Sequence, residues 1–289
     1  MKPAPFAYHD PRSIDEAVAL LAEHGDEAKI LAGGQSLMPM LALRLARPGV
    51  IVDINRIAGL DAVDTGDRTL RLGALVRQRA LERWAVRHAP LVAAVVRMVG
   101  HLAIRTRGTV AGNVSHADPA SELPALFLAL DGVAITRRRG GQREIPAAEL
   151  FLGPLTTSLR SEEIVVETRW MLPEAAAGWG FHEVARRHGD FALAGAIAVV
   201  TLAGDRIDGA RLALFGAGST PVRATAAEKA LVGTTVGATA VREAARIAAD
   251  GVDPVTDIHA TAEYRRRVAR TLTERALTDA LARAGPAAA

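Results

Sequence analysis

Two adjacent glycines stand at the centre of Leu31-Ala-Gly-Gly-Gln-Ser-Leu-Met-Pro39, between two apolar segments of the chain. The run at 28–31 predicts a short buried strand before the glycines, and Leu37–Leu45 predicts a helix after them. Adjacent glycines allow positive φ and let a ligand approach the backbone closely. Their N–H groups, with the start of the following helix, suit a phosphate group. By itself the pattern fits a phosphate site and an ordinary strand-to-helix turn equally well.

A second segment rich in small and polar residues is Arg107-Gly-Thr-Val-Ala-Gly-Asn-Val-Ser-His-Ala-Asp-Pro119. Gly108 and Gly112 stand on either side of Thr109, so the backbone can touch a ligand while polar side chains supply hydrogen bonds. We interpret 107–114 as a turn region. Two such segments in one chain are more specific for a phosphate-bearing ligand than either one alone.

The second segment also has a purely structural interpretation. It can be a polar loop that caps the helix expected at Leu123, with Asp118 or Ser121 as the N-cap, and both interpretations can hold at once. Elsewhere, Gly216-Ala-Gly-Ser-Thr220 lacks the third glycine of a dinucleotide fingerprint, so we interpret it as a turn. The eight histidines show no H-x-x-x-H or H-E-x-x-H spacing, and we predict no metal site.

Composition excludes several classes of protein. The 289 residues are 49% hydrophobic and 4% aromatic, which is enough for an aliphatic core. There is no cysteine, so disulfides, a thiolate-held iron–sulfur cluster and a cysteinyl flavin link are impossible. The longest apolar segment, Phe191–Leu202, is too short for a membrane span, and Met1–Arg12 has no apolar signal region. We therefore expect a cytoplasmic protein.

The charge distribution is basic but scattered. The net charge is +3 at pH 7, and short arginine runs occur at 137–139 and 265–267. Such runs can indicate a nucleic-acid surface. Here they are isolated, interleaved with acids and without aromatic stacking partners, so we favour solvated surface faces.

Periodicity and turn signals predict two domains. Ser13-Ile-Asp-Glu16 matches a capping box ahead of a helix at 17–23. Pro173–Gly180 is rich in Ala, Gly and Pro and is the predicted domain boundary. The order of strands first and helices second beyond it favours an α+β domain. The strands are predicted at 181–185, 194–202 and 210–215, and the helices at 224–231, 241–249 and 260–284.

Together the two glycine-containing segments resemble the FAD-binding medium subunit of the molybdenum hydroxylases, the family of carbon monoxide dehydrogenase and xanthine dehydrogenase. The matching motifs are AGGQSLMP at 32–39 and TVAGN-x-x-HADP-x-x-E-LPA at 109–125. Phe151-Leu-Gly-Pro154, Arg186–Ala192 and Tyr264–Arg267 are similar to later blocks of the family. The resemblance therefore covers essentially the whole chain, in order.

The resemblance implies that the chain binds FAD non-covalently. The glycine turn would wrap the pyrophosphate, and Thr109–Asn113 would complete the cradle. Glu122 would bind ribityl or ribose hydroxyls, Leu155 would approach the isoalloxazine ring, and His182 aligns with a flavin-contacting lysine. No catalytic residue and no metal ligand is predicted. The predicted cofactor set is Ala32, Gly33, Gly34, Gln35, Ser36, Thr109, Ala111, Gly112, Asn113, Asp118, Glu122, Leu155 and His182.

Two positions depart from the family pattern. Gln35 stands where many carbon monoxide dehydrogenase relatives have His, and this leaves the substrate undetermined. Ala111 stands where a second adjacent glycine is common. It adds one methyl group, so we expect the same backbone path with less room.

The resemblance also implies the fold class, α+β. An FAD-binding domain of the PCMH/vanillyl-alcohol-oxidase type would occupy 1–175, with subdomains at about 1–58 and 59–175. A small C-terminal α+β domain with an antiparallel sheet and helices would occupy 176–289.

By the same resemblance, the chain is an electron-transfer subunit. A large molybdopterin subunit would oxidise the substrate, a small subunit would relay electrons through [2Fe–2S] clusters, and the FAD here would pass them to NAD⁺, a quinone or oxygen. The expected assembly is a dimer of heterotrimers. The alternatives are a stand-alone FAD-dependent oxidoreductase of the same fold group and a non-enzymatic, arginine-rich binding protein. The sequence leaves the substrate and the electron acceptor open.

Overall fold

The computed structural model describes residues 2–285 of the chain. Its first part contains β1 (Ala7–His9), α1 (Ile14–His24), β2 (Ala28–Leu31), α2 (Leu37–Ala42) and β3 (Val50–Asp53). The three strands form a parallel sheet in the order β1-β3-β2, and α1 packs against it. At the start of α1 the Glu16 N–H donates to the Ser13 hydroxyl at 3.1 Å, as the capping-box motif predicts.

The second part is built on an antiparallel sheet. It contains β4 (Val63–Gly66), β5 (Thr69–Gly73), α3 (Gln78–His88), α4 (Pro90–Met98), α5 (Leu102–Arg107), α6 (Val110–His116), α7 (Glu122–Ala129), β6 (Val133–Arg138), β7 (Gly141–Pro146), α8 (Ala147–Leu150), β8 (Phe151–Gly153), β9 (Thr156–Thr157) and β10 (Ile164–Met171). Five of the strands pair in the order β4-β5-β10-β6-β7, and β8 pairs with β9. The predicted turn over 107–114 is wrong for most of its length, because residues 110–116 are helical.

Helix α7 lies in the interior of this part because it is apolar on nearly all sides. All eight of its residues are buried. The ring of Phe127 packs edge-on against Trp170 of β10, with 4.8 Å between the ring centroids. A helix of this composition is stable only when other elements cover it all round.

The third part is an antiparallel sheet covered by helices, as the sequence predicts. It contains β11 (Gly178–Ala185), β12 (Ala192–Ala203), β13 (Arg206–Phe215), β14 (Val222–Arg223), α9 (Thr225–Leu231), α10 (Ala238–Asp250) and α11 (Ala262–Arg283). The strands pair in chain order. A Cβ at Gly180 would lie 2.0 Å from the carbonyl oxygen of Ala276, so glycine lets α11 lie directly on the backbone of β11.

Both faces of the third sheet are buried. Along β12, Ala196 and Ala198 pack with the helices of the third part, whereas Ile197 and Val199 belong to the core that contains α7. Successive side chains of a strand point to opposite faces, so one strand serves two cores. The Gly216 N–H donates to the carbonyl oxygen of Pro119 at 2.8 Å, which places the end of β13 beside the loop that leads into α7. No helix among residues 2–285 is long and apolar enough to cross a membrane.

Candidate cofactor-binding site

The first glycine turn lies between the end of β2 and the start of α2, as predicted. Gly34 has a φ of 73°, a left-handed conformation that glycine adopts without strain. The backbone N–H groups of residues 33–36 donate to no acceptor among residues 2–285. Consecutive free donors of this kind suit a polyanion such as a diphosphate. The Gln35 side chain does not extend away from the turn, because its Nε2 donates to the carbonyl oxygen of Gly33 at 3.2 Å.

The second segment forms the junction between α5 and α6. Thr109 is the N-cap of α6, and its buried hydroxyl accepts from the Gly112 N–H at 3.1 Å. A Cβ at Gly112 would lie 2.5 Å from that hydroxyl oxygen, so a larger residue at this position would require the Thr109 side chain to shift. Ala111, buried on the first turn of α6, packs in the core. The local structure is thus a capped helix start rather than the open turn that the small residues suggested.

The two segments touch through their backbones. A Cβ at Gly33 would lie 2.7 Å from the Arg107 carbonyl oxygen and 2.8 Å from the Thr109 nitrogen. Real Cβ atoms essentially never come that close to backbone atoms, so only glycine fits at this position. The structure therefore joins the two predicted halves of the phosphate cradle into one surface.

Asn113 and Asp118 organise the loop between α6 and α7. The Ser121 hydroxyl donates to the Asn113 side-chain oxygen at 2.8 Å. The Asp118 carboxylate accepts from the Ala120 N–H at 2.9 Å. Ser121 stands at the N-cap position of α7, but its side chain makes no capping hydrogen bond there. Both residues of the predicted set thus fix the loop that presents Glu122.

Two carboxyl groups lie near each other at the end of this loop, one buried and one half-buried. Glu122 opens α7 and is 5% exposed, and Glu183 reaches the site from β11. The Glu183 Oε2 atom is buried and has no hydrogen-bond partner among residues 2–285. Burial first, and then the nearby Glu183 carboxyl, raise the pKa of Glu122 to about 8. Burial raises the pKa of Glu183 to about 7.

Leu155 lies between β8 and β9 and contacts the end of α6. Its N–H donates to the Ala117 carbonyl oxygen at 3.1 Å, and both residues have a φ of 53°. The Leu155 side chain is half exposed. Positive φ is uncommon outside glycine and concentrates at binding sites, so the pair holds an apolar side chain beside the second segment under local strain.

His182 is the predicted residue that the structure does not bring together with the others. Its Nε2 lies 3.2 Å from the Asp279 carboxylate on α11. His182 and Glu183 are neighbours on β11, and adjacent strand residues point to opposite faces. The face toward α7 thus carries Glu183, a residue that sequence reasoning missed. The flavin contact assigned to His182 stays a prediction.

Sequence reasoning also missed a chain of hydrogen bonds, through Asn55 and Arg77, that links the two segments. The Asn55 Nδ2 donates to the Ala32 carbonyl oxygen at 2.8 Å. Arg77 donates through Nη2 to the Asn55 side-chain oxygen at 2.6 Å and through Nη1 to the Arg107 carbonyl oxygen at 2.5 Å. The polar pair Asp53 and Asn55 at the end of an apolar strand is the one sequence signal that could have indicated this bridge.

Free backbone donors on a glycine turn, a second segment in contact with it and two neighbouring carboxyls at the end of that segment define a site for a dinucleotide cofactor. The residues present fit FAD, since the turn offers donors for the diphosphate and the unpartnered Glu183 oxygen offers a hydrogen-bonding position for a hydroxyl-bearing group. By fold and site, the protein is of the class of FAD-binding proteins.

Comparison with known proteins agrees. Residues 4–173 match the family described as FAD binding domain in molybdopterin dehydrogenase, and residues 179–280 match the CO dehydrogenase flavoprotein C-terminal domain. The chain is 40% identical to the 6-hydroxypseudooxynicotine dehydrogenase complex subunit alpha of Paenarthrobacter nicotinovorans, over 99% of this chain and 98% of that protein. It is 41% identical to caffeine dehydrogenase subunit beta of Pseudomonas sp. (strain CBB1), over 97% and 96%.

Solved structures show the same fold. The carbon monoxide dehydrogenase structure from Hydrogenophaga pseudoflava matches with a TM-score of 0.96 at 36% identity, over 99% of this chain and 100% of that chain. Quinoline 2-oxidoreductase from Pseudomonas putida 86 matches with a TM-score of 0.92 at 33% identity, over 99% and 100%. The chain belongs to the family of FAD-binding subunits of molybdopterin dehydrogenases, and is a subunit of an oxidoreductase complex.

Proposed function

We propose that this chain is the FAD-carrying electron-transfer subunit of a molybdenum hydroxylase complex. In this role it accepts electrons from [2Fe–2S] clusters of a small partner subunit, while a large molybdopterin subunit oxidises the substrate. Support comes from the match of the whole chain to subunits of such dehydrogenases. The absence of cysteine supports a cluster-bearing partner, because this chain has no thiolate to hold a cluster. The observation that carries the proposal is the contact of the two phosphate-facing segments at Gly33.

Several residues of the predicted set have a proposed task. The free N–H groups of residues 33–36 bind the diphosphate, and Thr109, whose hydroxyl hydrogen remains able to donate, completes the cradle. Glu122 in its protonated form binds a sugar or ribityl hydroxyl, and Leu155 packs against the flavin ring. Bound FAD supplies the exchange between one-electron and two-electron transfer, and the protein supplies binding and orientation.

We further propose that the FAD-binding domain comprises 1–175, divided at about 58 and 59, and that 176–289 forms the C-terminal domain. The complex is expected to be a cytoplasmic dimer of heterotrimers. The substrate is set by the molybdenum subunit, which explains why relatives named for caffeine, for a nicotine derivative and for carbon monoxide share this fold.

Purification of the complex through a tag on this chain tests the proposal. The expected result is three different subunits with about one acid-extractable FAD per heterotrimer unit, together with bound molybdenum and the iron of the [2Fe–2S] clusters. A colourless complex that takes up no FAD would contradict the cofactor assignment. A yellow chain that purifies without partners and oxidises a substrate by itself would favour a stand-alone oxidoreductase instead.

A further inference from the structure

Arg77 connects the two phosphate-facing segments from behind. Its Nη1 donates at 2.5 Å to the Arg107 carbonyl oxygen, the same oxygen that would lie 2.7 Å from a Cβ at Gly33. Its Nη2 donates at 2.6 Å to Asn55, whose amide holds the Ala32 carbonyl oxygen. One planar guanidinium thus fixes the distance between a turn in the first part of the chain and a loop in the second.

The charge of Arg77 has no direct partner. Arg77 forms no ion pair with any acid in the described part of the chain. The acids near enough to act on it are Asp53 and Asp61, and Asp53 is already held by the Tyr8 hydroxyl at 2.6 Å and by Asn55. Burial first, and then the nearby Arg107 charge, lower the pKa of Arg77 from its ordinary value, yet arginine remains protonated at neutral pH.

The residues proposed to surround the diphosphate carry no lysine or arginine. Residues 32–36 and 108–113 contain neither lysine nor arginine, and the side chain of Arg107 is exposed. Within these residues a diphosphate would meet backbone donors and polar side chains. The half-buried guanidinium of Arg77 lies behind that contact, hydrogen-bonded to the same carbonyl oxygen that a Cβ at Gly33 would meet.

We propose that Arg77 is a positioning residue for the diphosphate of the cofactor. It holds the two segments together through Asn55 and the Arg107 carbonyl, and its charge, which forms no ion pair in the described part of the chain, offsets the negative charge that binds in front of them. This inference rests on the proposed function, since it requires that the segments bind FAD. Arg77, which lies outside the glycine motifs, thus has both a mechanical and an electrostatic role.

If Arg77 only linked the two segments and its charge did not act on the cofactor, the salt dependence of FAD binding would be different. Loss of a purely structural link lowers stability and FAD affinity to the same degree at every salt concentration. Loss of a charge that attracts an anion also makes FAD affinity depend less on salt concentration. Arg77→Gln removes the charge, Arg77→Lys keeps the charge but not the two-pronged contact, and Asn55→Ala keeps Arg77 but detaches it from the first turn. Arg83→Gln is the matched control, because Arg83 is exposed on α3, the helix that begins directly after Arg77.

The experiment uses the native complex, stripped of FAD and titrated with FAD at several salt concentrations while flavin fluorescence is followed. Arg77→Gln is expected to raise the dissociation constant about tenfold or more at low salt, equivalent to about 1.4 kcal/mol per factor of ten. The dissociation constant of this variant for FAD is expected to change less with salt concentration than that of the wild type. Arg77→Lys should bind with intermediate affinity and Asn55→Ala more weakly than the wild type, both with the wild-type salt dependence. Arg83→Gln should bind like the wild type.

Several outcomes would overturn the inference. The first is a dissociation constant of Arg77→Gln for FAD within twofold of the wild-type value. The second is weaker binding of FAD by Arg77→Gln with the salt dependence of the wild type. The third is an Arg77→Lys variant that binds FAD no better than Arg77→Gln. If Arg77→Gln does not fold, wild-type affinity in both Arg77→Lys and Asn55→Ala would overturn it instead. If the wild-type complex bound no FAD, the proposed function itself would be wrong. That outcome differs from the ones above, in which the wild type binds FAD and only the role of Arg77 is wrong.

Discussion

Gly33 and Gly34 are adjacent, yet they are glycine for different reasons. Gly33 lies against the backbone of residues 107–109, where no Cβ can be placed. Gly34 has a positive φ of 73° and meets only flexible side-chain atoms. The first glycine is needed for packing between distant segments and the second for the local conformation of the turn.

Gly33→Val is expected to abolish cofactor retention. The new side chain would overlap backbone atoms, so the two segments must separate, and overpacking of this kind costs about 1–3 kcal/mol. The flavin absorbance per purified chain should fall at least tenfold. Gly66→Ala is the control, because nothing lies within 4 Å of a Cβ at that position. Wild-type flavin content in Gly33→Val would contradict the assignment of the first turn.

The buried carboxyls of Glu122 and Glu183 make the stability of the FAD-free chain depend on pH. Their pKa values are raised to about 8 and about 7, whereas the ordinary value is 4.5. Between pH 4.5 and 8 the folded chain therefore binds more protons at these groups than the unfolded chain does. Their contribution is fully present below pH 4.5, and the free energy of unfolding falls as the pH rises through 7 and 8.

The corresponding prediction is a melting temperature that falls by several degrees between pH 6 and 9, since each unit of pKa difference is worth roughly 1.4 kcal/mol. The double variant Glu122→Gln/Glu183→Gln should lose most of this fall, because an amide does not ionise. Glu149→Gln, at an exposed position on α8, should keep the wild-type pH dependence. Thermal unfolding of the FAD-free wild type, the double variant and Glu149→Gln at several pH values measures this dependence. Equal pH dependence in the double variant and the wild type would show that these carboxyls do not titrate in this range.

At the scale of elements, the sequence patterns were most reliable where a helix carries its own signals. Helix α1 lies where its capping box and periodicity predict it. Helix α6 was missed because small and β-branched residues at 110–116 have weak intrinsic helix propensity. Its start depends on the Thr109 cap and on packing against the core, which periodicity alone does not show.

Helix α11 begins with a cap that can be tested separately from the site. The Tyr264 N–H donates to the Thr261 hydroxyl at 3.2 Å. Thr261→Ala is expected to lower the free energy of unfolding by about 1 kcal/mol, measured by urea denaturation, and to leave the FAD content unchanged. Thr271→Ala, at an exposed position of the same helix, should change the free energy of unfolding by less than about 0.5 kcal/mol. Equal effects of the two substitutions would argue against a capping role.

At the scale of the whole molecule, Arg223 joins the third sheet to α7. It donates to the Leu128 carbonyl oxygen and to the Asp131 carboxylate, both at 2.8 Å, and pairs with Glu228 at the start of α9. Residues from both predicted domains therefore share one polar network. Together with the packing of β12 on the core of α7, this network couples the two parts mechanically.

Arg223→Met is expected to destabilise the chain by about 3–5 kcal/mol, because it leaves the partly buried carboxylate of Glu228 without its cation. Calorimetry should then show two separate unfolding transitions in place of one. Arg246→Met is the control, since among residues 2–285 Arg246 pairs only with Glu243 and Asp250, on the exposed face of α10, where ion pairs contribute about 0–1 kcal/mol. A single transition at the wild-type temperature in Arg223→Met would show that this contact does not couple the parts.

The sequence by itself determined the glycine turn, the second small-residue segment, the lack of any cysteine to hold a cluster and the α+β character of the third part, since these depend on neighbouring residues or on composition. Only the tertiary structure decided that Gly33 touches residues 107–109, that Arg77 and Asn55 bridge them, and that Glu183 rather than His182 shares a face with Glu122. Those relations join residues far apart in the chain. They arise from sheet register and helix packing, and no local pattern contains them.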